Sequence, residues 1–151
     1  MGGVTRGLLA GAAGTVALNL STYGDMLLRG RPASGLPAEA ADRIADRAGL
    51  SLGDEEEKDS REEAAGALMG YVTGLGIGAL YGLMSGRRGP APAWLAGPVL
   101  GLAAMAASDV PASVLGVTDP TRWSGGMWLS DLLPHLAYGM TTAAVLQALR
   151  Q

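Results

Sequence analysis

The sequence predicts an all-α, polytopic membrane protein with four transmembrane helices and a short amphipathic helix in the first loop. Three observations predict this fold class: a charge-free run at 64–86, glycines at every fourth position within it, and three further apolar segments. At about 1.5 Å per residue, the run at 64–86 reaches across the ~30 Å hydrocarbon core of a bilayer. Each glycine weakens a helix in water by roughly 1 kcal/mol relative to alanine, whereas lipid enforces a helical backbone.

The glycines of the second apolar segment predict close helix packing. They are Gly66, Gly70, Gly74, Gly78 and Gly82. Small residues at this spacing let the backbone of another helix approach closely. Because a spacing of four exceeds 3.6 residues per turn, the row drifts around its helix and favours a right-handed crossing of about −40°. Small residues recur in the first and third segments too, and we expect the glycine faces to assemble a homo-oligomer.

The chain fits a single membrane domain, 1–151, with spans at about 7–28, 64–85, 93–110 and 127–149 and a polar loop at 29–63. Within the loop, Pro37 suits the first position of a short amphipathic helix and Gly49 suits its C′ position. The acidic run at 54–57 then favours a helix N-terminus that leads into the second span. In the alternative interpretation, this acidic run forms a negatively charged entrance that attracts cations.

Composition narrows the possible functions. The absence of cysteine excludes disulfides, thiolate metal sites and thiol nucleophiles, and the net charge of −3 without a basic patch argues against a nucleic-acid partner. His135, the only histidine, is a poor match to a zinc site with carboxylates alone, and a haem would need a second axial ligand. No phosphate-binding loop, nucleophile elbow or zinc-protease motif is present. We therefore expect that the protein is not an enzyme and has no catalytic residue, bound metal or cofactor.

Polar residues in the apolar segments form the candidate site. Because chain direction alternates across four spans, the acidic residues late in the first and third spans and early in the fourth fall near one membrane face. Other polar residues lie deeper, and Asp131, His135, Tyr138 and Thr142 share one helical stripe through their spacings of 4, 3 and 4. The predicted site residues are Asn19, Asp25, Asp109, Asp131, His135 and Tyr138.

Such a polar stripe in a membrane helix normally faces the bundle interior or a water-filled cavity. Pro134 frees a backbone carbonyl beside His135. We therefore predict a wet, polar vestibule that opens to one membrane face. Through it, the protein would move or sense protons or a small solute. The sequence leaves a second function open, a non-transporting scaffold or accessory subunit that oligomerises through its glycine faces.

Structural roles for the same ionisable residues stay open as well. Asp25 can pair with Arg29 at the membrane surface, and Asp109 can cap a turn that starts at Val110. Asp131 suits the first turn of its helix, where the helix dipole stabilises a carboxylate. His135 can simply donate a hydrogen bond to a neighbouring carbonyl.

Short motifs in the second half of the chain carry a family resemblance. They run from Trp94 to Gly97, from Leu115 to Pro120 and from Trp128 to Tyr138, and the start of the first span at Gly7 is more loosely similar. This half resembles the YagU-like inner-membrane proteins, a largely uncharacterised family loosely linked to acid tolerance. The acidic block at 54–63 has no counterpart in that pattern.

The resemblance implies a multi-pass protein of the bacterial cytoplasmic (inner) membrane, with both termini in the cytoplasm. Arg87 and Arg88 in the second predicted loop agree with this orientation. A raw count of arginine and lysine instead favours a cytoplasmic first loop, so charge and resemblance disagree. The partners implied are the lipid bilayer, a second copy of the chain, and a proton or small solute.

Overall fold

The structure, a computed structural model, describes residues 1–86 and 89–150, with only the backbone at 55. Within these ranges the chain is all-helical, with five α-helices, one short 3-10 turn at Pro120–Arg122 and no strand. The helices are α1 (Gly3–Arg29), α2 (Leu36–Arg47), α3 (Glu55–Met84), α4 (Ala93–Val114) and α5 (Gly125–Ala148).

The four long helices form an antiparallel bundle. Helix α1 packs against α3 and α5, and α4 packs mainly against α5. Gly11 faces Gly74 while Gly3 faces Gly82, so α3 runs antiparallel to α1. Gly101 faces the backbone of His135 in α5. Helices α1 and α4 therefore point in one direction, and α3 and α5 in the other.

The contact between α1 and α3 is a row of facing glycines, which we call the glycine seam (Gly3, Gly7 and Gly11 with Gly74, Gly78 and Gly82). A Cβ added at Gly78 would lie 2.5 Å from the carbonyl oxygen of Gly7, so the two backbones touch directly. Gly66 instead meets the backbone of Pro37 in α2. A Cβ added at Gly70 would meet no described atom of another segment within 4 Å, so this glycine faces open space.

Small side chains fill the bundle interior, and large apolar side chains cover its outside. Ala10 and Ala143 are fully buried, and Tyr138 and Leu146 are the large side chains buried with them. Exposed leucines and valines occur on all four long helices, among them Leu8, Val16, Leu20, Leu68, Val72, Leu80, Val99, Leu102, Leu129 and Leu133. The close helix contacts thus come from residues that lack bulk.

Two helices, at Glu56–Met84 and Ala93–Val114, are long and apolar enough to cross a membrane. The criterion is one of length and composition, which a buried core helix of a soluble protein can also meet. Helices α1 and α5 do not meet it, because polar and ionisable residues lower their mean hydropathy, among them Asn19 in α1 and Asp131 and His135 in α5.

The ends of the helices explain parts of the polar sequence. Helix α3 begins in the acidic run and continues into the glycine-rich segment without a break. Helix α2 begins at Leu36, with Pro37 in its first turn, and Gly49 follows it with a φ of 69°, a left-handed conformation suited to glycine. Helix α4 continues through Pro111 to Val114. The alternative in which Asp109 caps a turn after a shorter helix is therefore wrong.

Candidate functional site

One end of the bundle, which we call the polar end, gathers the ends of α1 and α4, the starts of α3 and α5, and the polar segment between α1 and α3. The Arg29 guanidinium, in the last turn of α1, donates to the Ser130 hydroxyl in α5. Since α4 runs antiparallel to α5, the C-terminal half of α4 lies at this end too. Asp25, Asp109 and Asp131 therefore all lie at the polar end.

A pair of carboxyl groups joins α4 to α5. The Asp109 side chain lies beside that of Asp131. The Oδ2 atom of Asp131 is buried and has no hydrogen-bond donor among the described residues. Two carboxylates only accept hydrogen bonds, so this contact becomes a bond only when one of them carries a proton. The geometry is suited to holding a proton between the two helices.

His135 lies one helical turn beyond Asp131 and completes the group, which we call the carboxyl cluster (Asp109, Asp131 and His135). Its Nδ1 atom lies 2.8 Å from the Asp131 carbonyl oxygen and 3.4 Å from Asp131 Oδ1. A proton on Nδ1 is donated to that carbonyl, which leaves Nε2 to accept a second proton. The ring is mostly buried, with a side chain 13% exposed. Three ionisable groups from two helices thus lie together.

Asp25, the other predicted acid, is paired with two arginines. Asp25 forms an ion pair with Arg29, with an N–O distance of 2.7 Å, and a second ion pair with Arg31. It is therefore already neutralised, as in the alternative that assigns it a structural role. Asn19 lies on α1 and is half-buried.

Tyr138 is packed tightly in the middle of the bundle, so the polar stripe is closed beyond His135. Its side chain is 1% exposed, and its hydroxyl donates to the carbonyl oxygen of Gly74 at 2.6 Å. Thr142 is fully buried one turn further on, and Gly14 packs so tightly against both side chains that it leaves no space for a Cβ. The bond from Tyr138 connects α5 to the glycine seam.

Sequence reasoning missed this connection, and the composition of the stripe offered no signal for it. A tyrosine hydroxyl leaves many partners open, and the partner here is a backbone carbonyl 64 residues away. The only sequence feature that bears on it is the absence of a side chain at Gly74, which exposes that carbonyl to a neighbouring helix.

A second cluster of charged side chains, in the polar segment, joins α2 to α3. The Lys58 amine lies 3.1 Å from an Asp42 oxygen and 3.3 Å from a Glu62 oxygen. These two carboxylates, Asp42 first, raise the pKa of Lys58, so the amine stays charged. A surface cavity of about 310 Å³ lies beside it. No group of three or more His, Asp or Glu side chains in the described ranges is arranged to hold a metal ion.

Comparison with known proteins gives no match for this chain among family models, curated proteins or solved structures. The resemblance to YagU-like proteins, the inner-membrane location and the cytoplasmic termini therefore stay predictions. Arg87 and Arg88, on which the orientation partly depends, lie outside the described residues.

Proposed function

We propose that this chain is an integral membrane protein with four spans that senses protons through its carboxyl cluster. The four long helices would be the spans. Helix α1 has 27 residues and α5 has 24, or about 40 and 36 Å at 1.5 Å per residue, against a hydrocarbon core of about 30 Å. Both are therefore long enough to span, although neither contains a stretch as apolar as those in α3 and α4.

The distribution of side-chain size supports the membrane location. A soluble bundle buries its large apolar side chains and rarely exposes a wide apolar patch. Here the exposed large apolar side chains lie on all four long helices, while glycine and alanine occupy the contacts between them. Helices that pack in lipid associate through small residues, because lipid supplies no hydrophobic force that would drive leucines inward.

The observation that carries the proton-dependent role is the buried, donor-free Oδ2 of Asp131 beside the Asp109 carboxyl group. With one proton, the pair forms a hydrogen bond that holds α4 against α5. Without it, two negative charges face each other in a medium of low dielectric, where repulsion is strong. Loss of the proton would therefore weaken the packing of these two helices. Protonation of His135 would partly offset the added negative charge.

Sensing is favoured over transport because the polar stripe is closed at Tyr138. The Tyr138–Gly74 hydrogen bond and the tight contact at Gly14 occupy the region just beyond His135. Conduction of a proton or solute through the bundle would require this region to open. A change in helix packing at the polar end requires no such path.

One specific observation favours the scaffold alternative. A Cβ added at Gly70 or Gly76 on α3 would meet no described neighbour within 4 Å. An oligomer that used the glycines of α3 would have to pack at these two positions, because the glycine seam is occupied by α1 within the same chain.

The proposed function is tested by tryptophan fluorescence of the protein in lipid vesicles as the pH is lowered from neutral. Trp128 lies one turn before Asp131 and packs against Trp123 with ring centroids 5.0 Å apart, so it reports the start of α5. In a Trp94→Phe background, we expect an acid-dependent transition. Asp131→Asn should remove most of it, because the amide can donate to Asp109 at any pH.

The matched control is Asp46→Asn in α2, which should leave the transition unchanged. A pH-independent signal in the parent protein, or an equal transition in the Asp131→Asn variant, would overturn the proton-sensing role. A proton-sensitive dye trapped in the same vesicles separates the two modes of action. Proton flux that disappears in Asp131→Asn would favour transport over sensing.

A further inference from the structure

The end of the bundle opposite the polar end carries basic side chains and no acidic ones. It is formed by the start of α1, the end of α3, the start of α4 and the end of α5. The segments 1–6, 83–95 and 147–151 contain four arginines, whereas all fourteen Asp and Glu residues lie elsewhere in the sequence. Of these arginines the structure describes Arg6 and Arg150, and we call this surface the arginine end.

Arg150 ties the last turn of α5 to the last turn of α3. Its Nη1 donates to the Ser85 carbonyl at 3.0 Å, and its Nη2 donates to the Gly86 carbonyl. These carbonyls belong to the C-terminal end of α3, which is partially negative. The guanidinium covers them, so an anion that approaches this end meets a positive group first.

Arg6 reaches the same end from α1. It begins the row Arg6, Ala10 and Gly14 at a spacing of four, and Gly14 contacts Thr142 of α5. Because α1 and α5 are antiparallel, this row brings Arg6 toward the last turn of α5. The Nε atom of Arg6 is buried and has no acceptor within the described part of the chain.

The Ser85 side chain lies beneath this surface. It is 6% exposed, and its Oγ has no hydrogen-bond partner of acceptable geometry in the described ranges, although Tyr81 lies nearby. Buried polar groups in native proteins nearly always have a partner. The arginine end thus combines two guanidinium groups with a buried hydroxyl, and no Asp or Glu lies in the segments that form it.

We propose that the arginine end binds the phosphate of an anionic lipid headgroup, held by the guanidinium groups of Arg6 and Arg150. Guanidinium groups pair well with phosphate oxygens, and an anionic leaflet attracts basic residues at a membrane surface. A zwitterionic headgroup fits less well, because its ammonium group would find no acidic side chain here. The inference requires the membrane location proposed above but not the proton-sensing role.

The test measures the thermal unfolding temperature of the protein in neutral detergent, with added phosphatidylglycerol or phosphatidylcholine. A ligand that binds only the folded state raises this temperature. We expect a larger rise with phosphatidylglycerol, and we expect Arg6→Gln and Arg150→Gln to lose most of the difference. Arg43→Gln, at the polar end, should keep it. The lipid source is separated from free phosphate by a third arm with inorganic phosphate.

Ser85→Ala is a control at the same end of the bundle, since it changes a buried group and neither guanidinium. Without lipid, removal of an unpartnered buried hydroxyl should leave the unfolding temperature unchanged or higher. With phosphatidylglycerol, the rise should equal that of the parent protein, because a headgroup does not reach the buried hydroxyl. Equal rises with both lipids, an unchanged difference in Arg6→Gln, or an equal rise with inorganic phosphate would each overturn the proposal. Failure to float with vesicles of either lipid would instead refute the membrane location.

Discussion

The hydroxyl of Tyr138 is the one group of the polar stripe that binds the glycine seam directly. Tyr138→Phe removes its bond to Gly74 while keeping the ring in place. The free energy of unfolding should fall by about 1 kcal/mol, because a typical intramolecular hydrogen bond contributes roughly that much. Denaturant titration in detergent measures it.

Tyr71→Phe is the matched control, since Tyr71 lies on α3 with 48% of its surface exposed. It should leave the free energy of unfolding unchanged. If Tyr138→Phe and Tyr71→Phe are equally stable, the bond to Gly74 contributes nothing measurable, and the closure of the stripe would depend on packing alone.

Sequence reasoning was least complete for contacts between individual residues of different helices. The spacing of Asp131 and His135 predicted that they lie one turn apart, which the helix period alone determines. It could not predict that Asp109 would approach Asp131, because that contact depends on how closely α4 packs on α5. Gly97, Gly101 and Gly139 set this distance, since a Cβ at any of them would meet backbone or side-chain atoms of the opposite helix.

At the scale of helices, the glycine seam makes a graded prediction. In Gly78→Ala the added Cβ meets backbone atoms of α1, including the Gly7 oxygen at 2.5 Å, so the helices must separate. Gly70→Ala meets open space and gains helix propensity. We expect Gly78→Ala to lower the unfolding temperature clearly and Gly70→Ala to leave it unchanged or raise it.

Thermal unfolding and size-exclusion chromatography in the same detergent check this pair. Comparable losses of stability in both variants would mean that the seam does not depend on close backbone contact. A change in oligomer size confined to Gly70→Ala would support the scaffold alternative, because Gly70, unlike Gly78, faces away from the chain's own helices.

The sequence predicted the positions of the helices better than it predicted which helices pack together. Apolar runs, Pro37 and Gly49 placed the helices, because these signals are local. The choice of α1 as the partner of α3 was not predictable, since small residues at a spacing of four occur in the first, second and third apolar segments alike. Four spans stay a prediction, because the composition of α1 and α5 does not distinguish a span from a buried helix.

At the scale of the whole molecule, the antiparallel arrangement predicts which positions share a side of the membrane. The parent chain has no cysteine, so single substitutions provide clean labelling sites. Asp25→Cys, Asp109→Cys and Asp131→Cys should react with an impermeant thiol reagent from one side of sealed vesicles. Ala91→Cys, at the arginine end, should react only from the other side. Labelling of Asp109→Cys and Asp131→Cys from opposite sides would refute four spans.

The periodic glycine seam has a consequence for how the chain selects one alignment of α1 with α3. A surface that repeats every four residues fits its partner almost equally well after a slide of one repeat, or about 6 Å at 1.5 Å per residue. The repeat therefore specifies the pairing of the helices but not their offset. Non-repeating contacts must supply the offset, and α5 makes them to both helices. Tyr138 and Arg150 bond to α3, and Ser130 accepts from Arg29 of α1. Helix α5 thus fixes the offset between α1 and α3, which their repeating contact alone does not specify.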